Sequence, residues 1–375
     1  MDTELFTWHT YSNTLDDLKQ GLLLAQKSYA KSLLMLTCNQ NNYCEAALNS
    51  LLKTCNLPIF GGIYPMVILQ DRLLEQGAVI IGFKEKFDTS YFSRLQLISN
   101  DDCLETMITE TLEQKNYFSG HDSFLMFYDA LTNNVEDFID CLFECLDHNV
   151  NVAGGGAGNL DLIQRPCIFS NQGLLSNTLL LVTLPKKLNT SVAHGWDIFQ
   201  GPYLVSDAQN QTVKSLNYQP AFKVYNQTIS AKTDHQFTED NFLDIAKNYP
   251  LGIKDINNNL IIRDPILTEN NHLKCVGNIP INSMVYLLKT DNETLISSAK
   301  RAAIEVANFD KKITIVFDCI SRMLYLGEHF NEELLAIAEH CSTPVLFGVL
   351  SFGEIANSQS GAIRLFNKST IIGSW

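Results

Sequence analysis

Charge is scarce in this chain: 18% of its 375 residues are Asp, Glu, Lys or Arg, against 46% hydrophobic residues. That balance excludes a long disordered segment, because unfolded chains are rich in charge and poor in apolar side chains. Basic residues are the scarcer kind, 27 against 41 acidic ones, and the formal charge of −14 opposes a phosphate backbone or an anionic lipid surface. No nucleic-acid and no membrane partner is expected. Long apolar runs are missing as well. The richest, Leu33 to Leu36 and Leu179 to Leu184, fall well short of the roughly 18–20 residues that span a bilayer. Met1-Asp2-Thr3-Glu4 lacks the basic, apolar and small-residue order of a secretory signal, so a cytoplasmic location is expected. No CxxC pair occurs among the ten cysteines, and Cys38, Cys141, Cys145 and Cys319 lie within apolar stretches, as reduced buried thiols do. No two of the eight histidines stand four apart, and no GxSxG elbow is present, so neither a helical zinc pair nor a serine hydrolase is indicated.

What the chain does have is a repeated order of elements. Leu15, Leu18, Leu22, Ala25 and Tyr29 share one helical face after a capping-box-like Thr14, Leu33 to Leu36 suit a buried strand, and a second helix runs through Leu48 and Leu52. Ile59-Phe60-Gly61-Gly62 then predicts a strand stopped by glycines, and Gly77 to Ile81 another. The carboxyl-terminal segment repeats this: a stripe of Leu295, Ala299, Ala302 and Val306, a strand Ile313 to Phe317, a helix through Leu334 and Ala338, a strand ending at Gly348, and a third strand at Gly361 to Ile363. Cys38 and Cys55 stand 17 positions apart and Cys319 and Cys341 stand 22 apart, so the second copy carries extra residues there, Arg322 and Glu328 among them. A partial third copy runs from Phe124 through Cys145 to Val152.

These patterns predict an α/β (mixed α+β) fold of two pseudo-repeated lobes of β-sheet covered by helices, residues 1–219 and 220–375, since stacked copies bury both the sheet and helix faces. The polar stretch from His194 to about Pro250 is expected to join the lobes.

Four places offer chemistry. Gly154-Gly155-Gly156-Ala157-Gly158 follows a strand as a phosphate loop would, but no Lys-Ser/Thr follows, and a tight turn is the plainer reading. Cys319, with Arg322 after it, offers a nucleophilic thiolate or a structural thiol. His194, Gly195 and Trp196 offer an imidazole with space cleared beside it and an indole wall, a setting for a metal or haem iron or for a satisfied histidine. Arg322, Ser351, Gly353, Glu354 and Asn367 cluster around a glycine-terminated strand, as a small-ligand pocket or a set of turn residues would.

Phe317-Asp318-Cys319-Ile320-Ser321-Arg322, Leu326-Gly327, Pro344 with Gly348, Ser351-Phe352-Gly353-Glu354-Ile355 and Asn367-Lys368-Ser369-Thr370 resemble the core pattern of the FIST family of sensory modules. Gly154 to Asn159 and Ala193-His194-Gly195-Trp196 resemble its glycine-rich turn and its H-G segment. The resemblance implies ligand sensing for a separate output protein, a histidine kinase or a cyclic-di-GMP enzyme, with no catalysis of its own. It further implies a relation to bacterial nitric-oxide-sensing haem proteins, with His194 as axial ligand to haem iron, Gly195 and Trp196 beside the macrocycle, Lys186 or Lys187 near a propionate, and a diatomic gas as signal. The alternative is a haem-free sensor binding a small polar metabolite, such as an amino acid, at Arg322, Ser351, Gly353, Glu354 and Asn367. A cysteine-dependent hydrolase stands third, and a homodimer is left open.

Overall fold

The computed structural model describes residues 5–93, 95, 101–114, 123–146, 150–184, 186–238, 240–255, 257–307, 311–341, 343–357 and 361–375. Its fold is mixed α/β, with repeated lobes of sheet covered by helices. The partial third copy is a complete one, so the plan is carried out three times.

Each repeat contains two parallel strands joined through a helical segment: Ser32–Cys38 with Ile59–Tyr64, Ser123–Asp129 with Asn151–Ala157, and Ile313–Cys319 with Val345–Ser351. An antiparallel strand flanks the first of each pair: Ala78–Phe83, Thr178–Thr183 and Thr370–Ser374. Outside it lies the opening strand of the repeat: Leu5–Thr10, Thr89–Ser93 and Asn189–Ala193. The segment equivalent to Ala78–Phe83 is therefore Thr370–Ser374, not Gly361 to Ile363, which leads into an outer hairpin strand instead.

That hairpin exposes how the repeats interlock. Val67–Leu69, which with Arg72–Leu74 forms the hairpin of the first repeat, pairs with Val345–Ser351 of the third. Ile168–Ser170 of the second repeat's hairpin pairs with Ile59–Tyr64 of the first, and Glu354–Asn357 of the third pairs with Asn151–Ala157 of the second. The exchange closes in a ring, giving three six-stranded sheets, each completed by the next repeat's hairpin.

The side-chain alternation of the strands assigns two faces to each sheet. Leu34, Leu36 and Phe60, Leu125 and Phe127, and Ile315, Phe317 and Phe347 point to one shared apolar core. Phe127 holds the repeats together there, its ring centroid 6.1 Å from Phe60 and 5.9 Å from Phe317. The opposite faces are covered by helices. Leu15–Lys27 and Glu45–Lys53 cover the first, Asp101–Gln114 and Val135–Cys145 the second, and Asn292–Val306 with Phe330–His340 the third.

In the first repeat the opening strand leads to its helix directly, but in the third a separate body intervenes. Asp197–Gln209, Met284–Lys289, Leu251–Lys254, Leu260–Glu269, His272–Val276 and Thr212–Leu216 pair in that order, and the last pairs back with the first, closing an antiparallel barrel. The segment from His194 to Pro250 is thus part of a folded barrel rather than a connector. Its asparagines have a reason: Asn210, Asn217, Asn258, Asn270, Asn271 and Asn282 all take left-handed φ angles of 48 to 67° at the bends, which asparagine tolerates better than other side chains. Among the described residues no helix is long and apolar enough to cross a membrane.

Candidate functional site

The expected glycine turn at Gly154-Gly155-Gly156 is instead the buried interior of the strand Asn151–Ala157. Its glycines serve close approach and not turning. A Cβ on Gly155 would meet Phe317 at 2.7 Å and Ser351 at 2.9 Å, and one on Gly156 would meet the Phe352 carbonyl at 2.5 Å. They let the third repeat's hairpin lie against the second repeat. Gly61, Gly154 and Gly348 occupy one equivalent place: in each repeat a Cβ would come within 2.1, 2.3 and 2.2 Å of the carbonyl of the residue paired opposite. The strand Ile59–Tyr64 accordingly runs through its glycines and does not stop at them.

His194, Gly195 and Trp196 form a tight turn between the third repeat's opening strand and the barrel. His194 Nδ1 accepts the Trp196 backbone N–H at 2.9 Å, and Gly195 takes φ +73° at a place where a Cβ would also meet Ser298 Oγ at 2.8 Å. Burial, helped by the Arg322 charge, lowers the His194 pKa to about 4, so the ring is neutral near pH 7. A neutral ring that accepts at Nδ1 carries its proton on Nε2. Haem ligation through Nε2 needs the reverse arrangement, with Nδ1 as the donor. Trp196 is likewise committed: it is 1% exposed, lies 5.4 Å from the Tyr325 ring and 5.3 Å from Lys368 Nζ, and donates to the Lys368 carbonyl at 3.3 Å. This arrangement does not fit a haem. Among the described residues no group of three His, Cys, Asp or Glu side chains is placed to hold a metal ion. Lys186 and Lys187 are both exposed.

Arg322 is wholly buried, and its donors are satisfied from within. Nε and Nη2 reach the two Glu333 oxygens, Nη1 donates to the His194 carbonyl at 2.7 Å, Nη2 also donates to the Leu295 carbonyl at 3.1 Å, and Asp318 lies 3.4 Å away. The helix Ile320–Leu326 that carries it is the insertion foreseen between Cys319 and Cys341. Asn367 Nδ2 donates to the Ile262 and Val276 carbonyls at 3.4 and 3.2 Å, tying the barrel to the third repeat. Lys368, not singled out by spacing, is buried beside it and meets Asp264 at 3.2 Å, and Asp264 in turn accepts the Ser321 hydroxyl at 2.8 Å.

Ser351 and Glu354 form the first turn of the third repeat's hairpin, the Ser351 hydroxyl donating to Glu354 Oε1 at 2.7 Å. Glu354 Oε2 and Asp318 Oδ1 are buried without a hydrogen-bond partner. Burial pushes both carboxyl pKa values well up, with Glu333 raising Asp318 further and Asp318 raising Glu354. Gly353, at φ +88°, lets the Tyr128 hydroxyl approach, and that hydroxyl donates to the Phe352 and Gly353 carbonyls at 2.9 and 3.1 Å. Burial and the Glu354 charge push the Cys319 thiol pKa far up, the opposite of what a nucleophilic thiolate requires.

Beside this buried network opens a cleft of about 670 Å³ between the barrel and the second repeat. Tyr128 and Phe352 floor it, the turn Thr132 to Asp137 forms one wall, and Lys214, His272 and Lys274 of the barrel form the other. The Thr132 hydroxyl is buried there without a partner. Glu136 pins one end, accepting from Arg263 at 2.6 Å and from the Asn278 N–H at 2.5 Å. Arg322, Ser351, Glu354 and Asn367 do not line the cleft; of the motif's neighbours, Phe352 does. Thr132, Glu136 and the two lysines gave no spacing signal, because they come from two bodies far apart in sequence.

Comparison with known proteins agrees with this architecture. Residues 32–219 match the FIST N domain family model and residues 221–357 the FIST C domain family model. An uncharacterized protein of Methanocaldococcus jannaschii is 24% identical over 288 residues, covering 67% of this chain. The chain spans about half, 54%, of that relative's length. With both regions matched across the repeats and the barrel, the chain belongs to the FIST family, whose domains are signal-transduction sensors of small ligands.

Proposed function

We propose that this protein is a haem-free sensor in which a small polar metabolite, an amino acid in the simplest case, binds in the cleft between the barrel and the second repeat. The cleft itself carries this reading: it has the volume of a small-ligand site, it joins two bodies, and it presents an unpartnered buried hydroxyl at Thr132. Lys214 and Lys274 suit a carboxylate, and Asp137, which lines the same cleft, suits an ammonium group. A ligand that touches both walls favours the barrel positions in which those walls are close, and such differential binding is what shifts a two-state protein. In this reading Ser351, Gly353 and Glu354 position the floor, Arg322 and Asn367 hold the barrel's attachments, and none of them contacts ligand. A partner histidine kinase or cyclic-di-GMP enzyme in the cytoplasm reads the barrel's position.

The test is thermal denaturation with a panel of amino acids. One of them should raise Tm in the wild type, because a ligand of the folded state stabilises it, and Lys214→Ala with Lys274→Ala should abolish that rise. If no amino acid in the panel loses its rise on both substitutions, the cleft is refuted. Haem titration separates the alternative: a Soret band that forms on the wild type and is lost in His194→Ala would restore the haem and nitric oxide reading.

A further inference from the structure

Threefold repetition gives the cleft an equivalent place in each of the other two repeats. Aligned through Gly61 and Gly154, the strand ends Cys38 and Asp129 correspond, and Glu45 and Glu136 each stand seven residues further on, in the first turn of the following helix. In the second repeat that place is the cleft. In the third the helix Ile320–Leu326 follows the corresponding strand end Cys319 directly, and Met66 and Met323 pack against the apolar layer beside it. In the first repeat it is open. A pocket of about 310 Å³ lies there, walled by Cys38, Asn39, Tyr43 and Glu45, with Asn159 and Arg165 from the second repeat's loop closing it.

Two of its polar atoms, Asn39 Oδ1 and the Tyr43 hydroxyl, are buried without a hydrogen-bond partner. Buried polar atoms are nearly always paired, and two orphans on residues that line one cavity call for a partner that the protein does not supply. Their needs differ: the amide oxygen requires a donor, while the phenol offers its proton. Burial pushes the Tyr43 pKa far up, so that proton stays in place. At the rim Arg165 and Asp161 form an exposed ion pair at 2.7 Å, which an incoming carboxylate can replace. Glu45, which also lines the pocket, is exposed.

We propose that this pocket is a second ligand site, separate from the barrel cleft, that takes a compact zwitterionic amino acid. The ammonium group donates to Asn39 Oδ1 near Glu45, one carboxylate oxygen accepts the Tyr43 hydroxyl, and the carboxylate exchanges with Asp161 on Arg165. The third repeat is not expected to bind in this way, because its own helix follows the strand end directly.

Calorimetric titration with each of the twenty proteinogenic L-amino acids, on the wild type, Tyr43→Phe and Lys274→Ala, tests the site. The expected result is a binding event that survives Lys274→Ala unchanged and weakens about tenfold in Tyr43→Phe, which loses one hydrogen bond to a charged group. Tyr43→Phe should keep or raise the ligand-free Tm, because it removes an orphaned hydroxyl; a merely structural role would lower it. No binding to the wild type, no event that weakens in Tyr43→Phe, or loss of every event in Lys274→Ala overturns the proposal. Because Lys274 lies only in the barrel cleft, failure there and failure here give different patterns.

Discussion

Arg322 and Glu333, both wholly buried, face each other fork to fork, Nε to Oε1 at 3.1 Å and Nη2 to Oε2 at 2.5 Å. The pair fastens the inserted helix Ile320–Leu326 to the helix Phe330–His340 while the same guanidinium holds the His194 carbonyl. Removing one partner strands the other charge in the interior, at a cost of about 3–5 kcal/mol. Glu333→Gln and Arg322→Met should each lower the unfolding free energy, read from urea denaturation, by that much, and the double variant should recover part of the loss. A double variant no better than the sum of the singles would show that the two side chains are not coupled.

The position of Glu354 makes stability depend on pH. Its folded-state pKa is raised well above the ordinary value of 4.5 by burial. The folded state therefore holds the proton more tightly than the unfolded chain, and the group's contribution is fullest below about pH 4.5 and is lost as pH rises through the folded pKa. Glu354→Gln fixes the side chain in a neutral form that still accepts from Ser351. Urea unfolding from acid to alkaline pH should show the variant losing less stability than the wild type as pH rises. Parallel profiles would mean that Glu354 does not titrate differently on folding.

His194 works in the opposite direction. Its pKa falls from 6.5 to about 4 on folding, so its contribution is present above pH 6.5 and is lost as pH falls toward 4. The shift corresponds to at most about 3 kcal/mol. His194→Asn retains a side-chain acceptor for the Trp196 N–H and cannot be protonated in this range. Between pH 6.5 and 4 the variant should lose less stability than the wild type, by unfolding measured in the same series. An unchanged acid slope would leave the imidazole without a role in that transition.

Much of this architecture can be read from the sequence, and the parts that cannot have identifiable causes. The apolar runs at Leu33, Phe124 and Ile313 and the helical stripes beside them announce the repeats, because a strand buried on both faces and a one-faced helix leave different periods. Hairpin exchange leaves no such mark: Val67–Leu69 has the same apolar character whether it pairs with its own repeat or with Val345–Ser351 of another. Gly154 to Gly156 suggested a turn because glycine usually signals backbone freedom, whereas here its missing side chain is what counts. The polar barrel segment reads as a connector because its asparagines sit at hairpin bends, so polarity reports the turns and not the strands between them. Arg322 was legible as important but not as internal, since sequence does not reveal that Glu333, His194 and Leu295 use up its donors.

The ring of exchanged hairpins predicts that a small addition at one contact weakens the whole assembly. Gly156 lies where the third repeat's hairpin crosses the second repeat, and a Cβ there would stand 2.5 Å from the Phe352 carbonyl and 2.9 Å from Tyr128 Cζ. The carbonyl is backbone held by the Tyr128 hydroxyl, so it cannot turn aside as a flexible side chain would. Gly156→Ala should therefore destabilise by about 1–3 kcal/mol, the usual cost of overpacking. Because the same hairpin carries Phe352 into the cleft floor, the substitution should also weaken metabolite binding at the cleft while leaving the first-repeat pocket intact. Denaturant unfolding and calorimetry on one preparation measure both effects, and an alanine that leaves stability unchanged would refute close packing between these two strands.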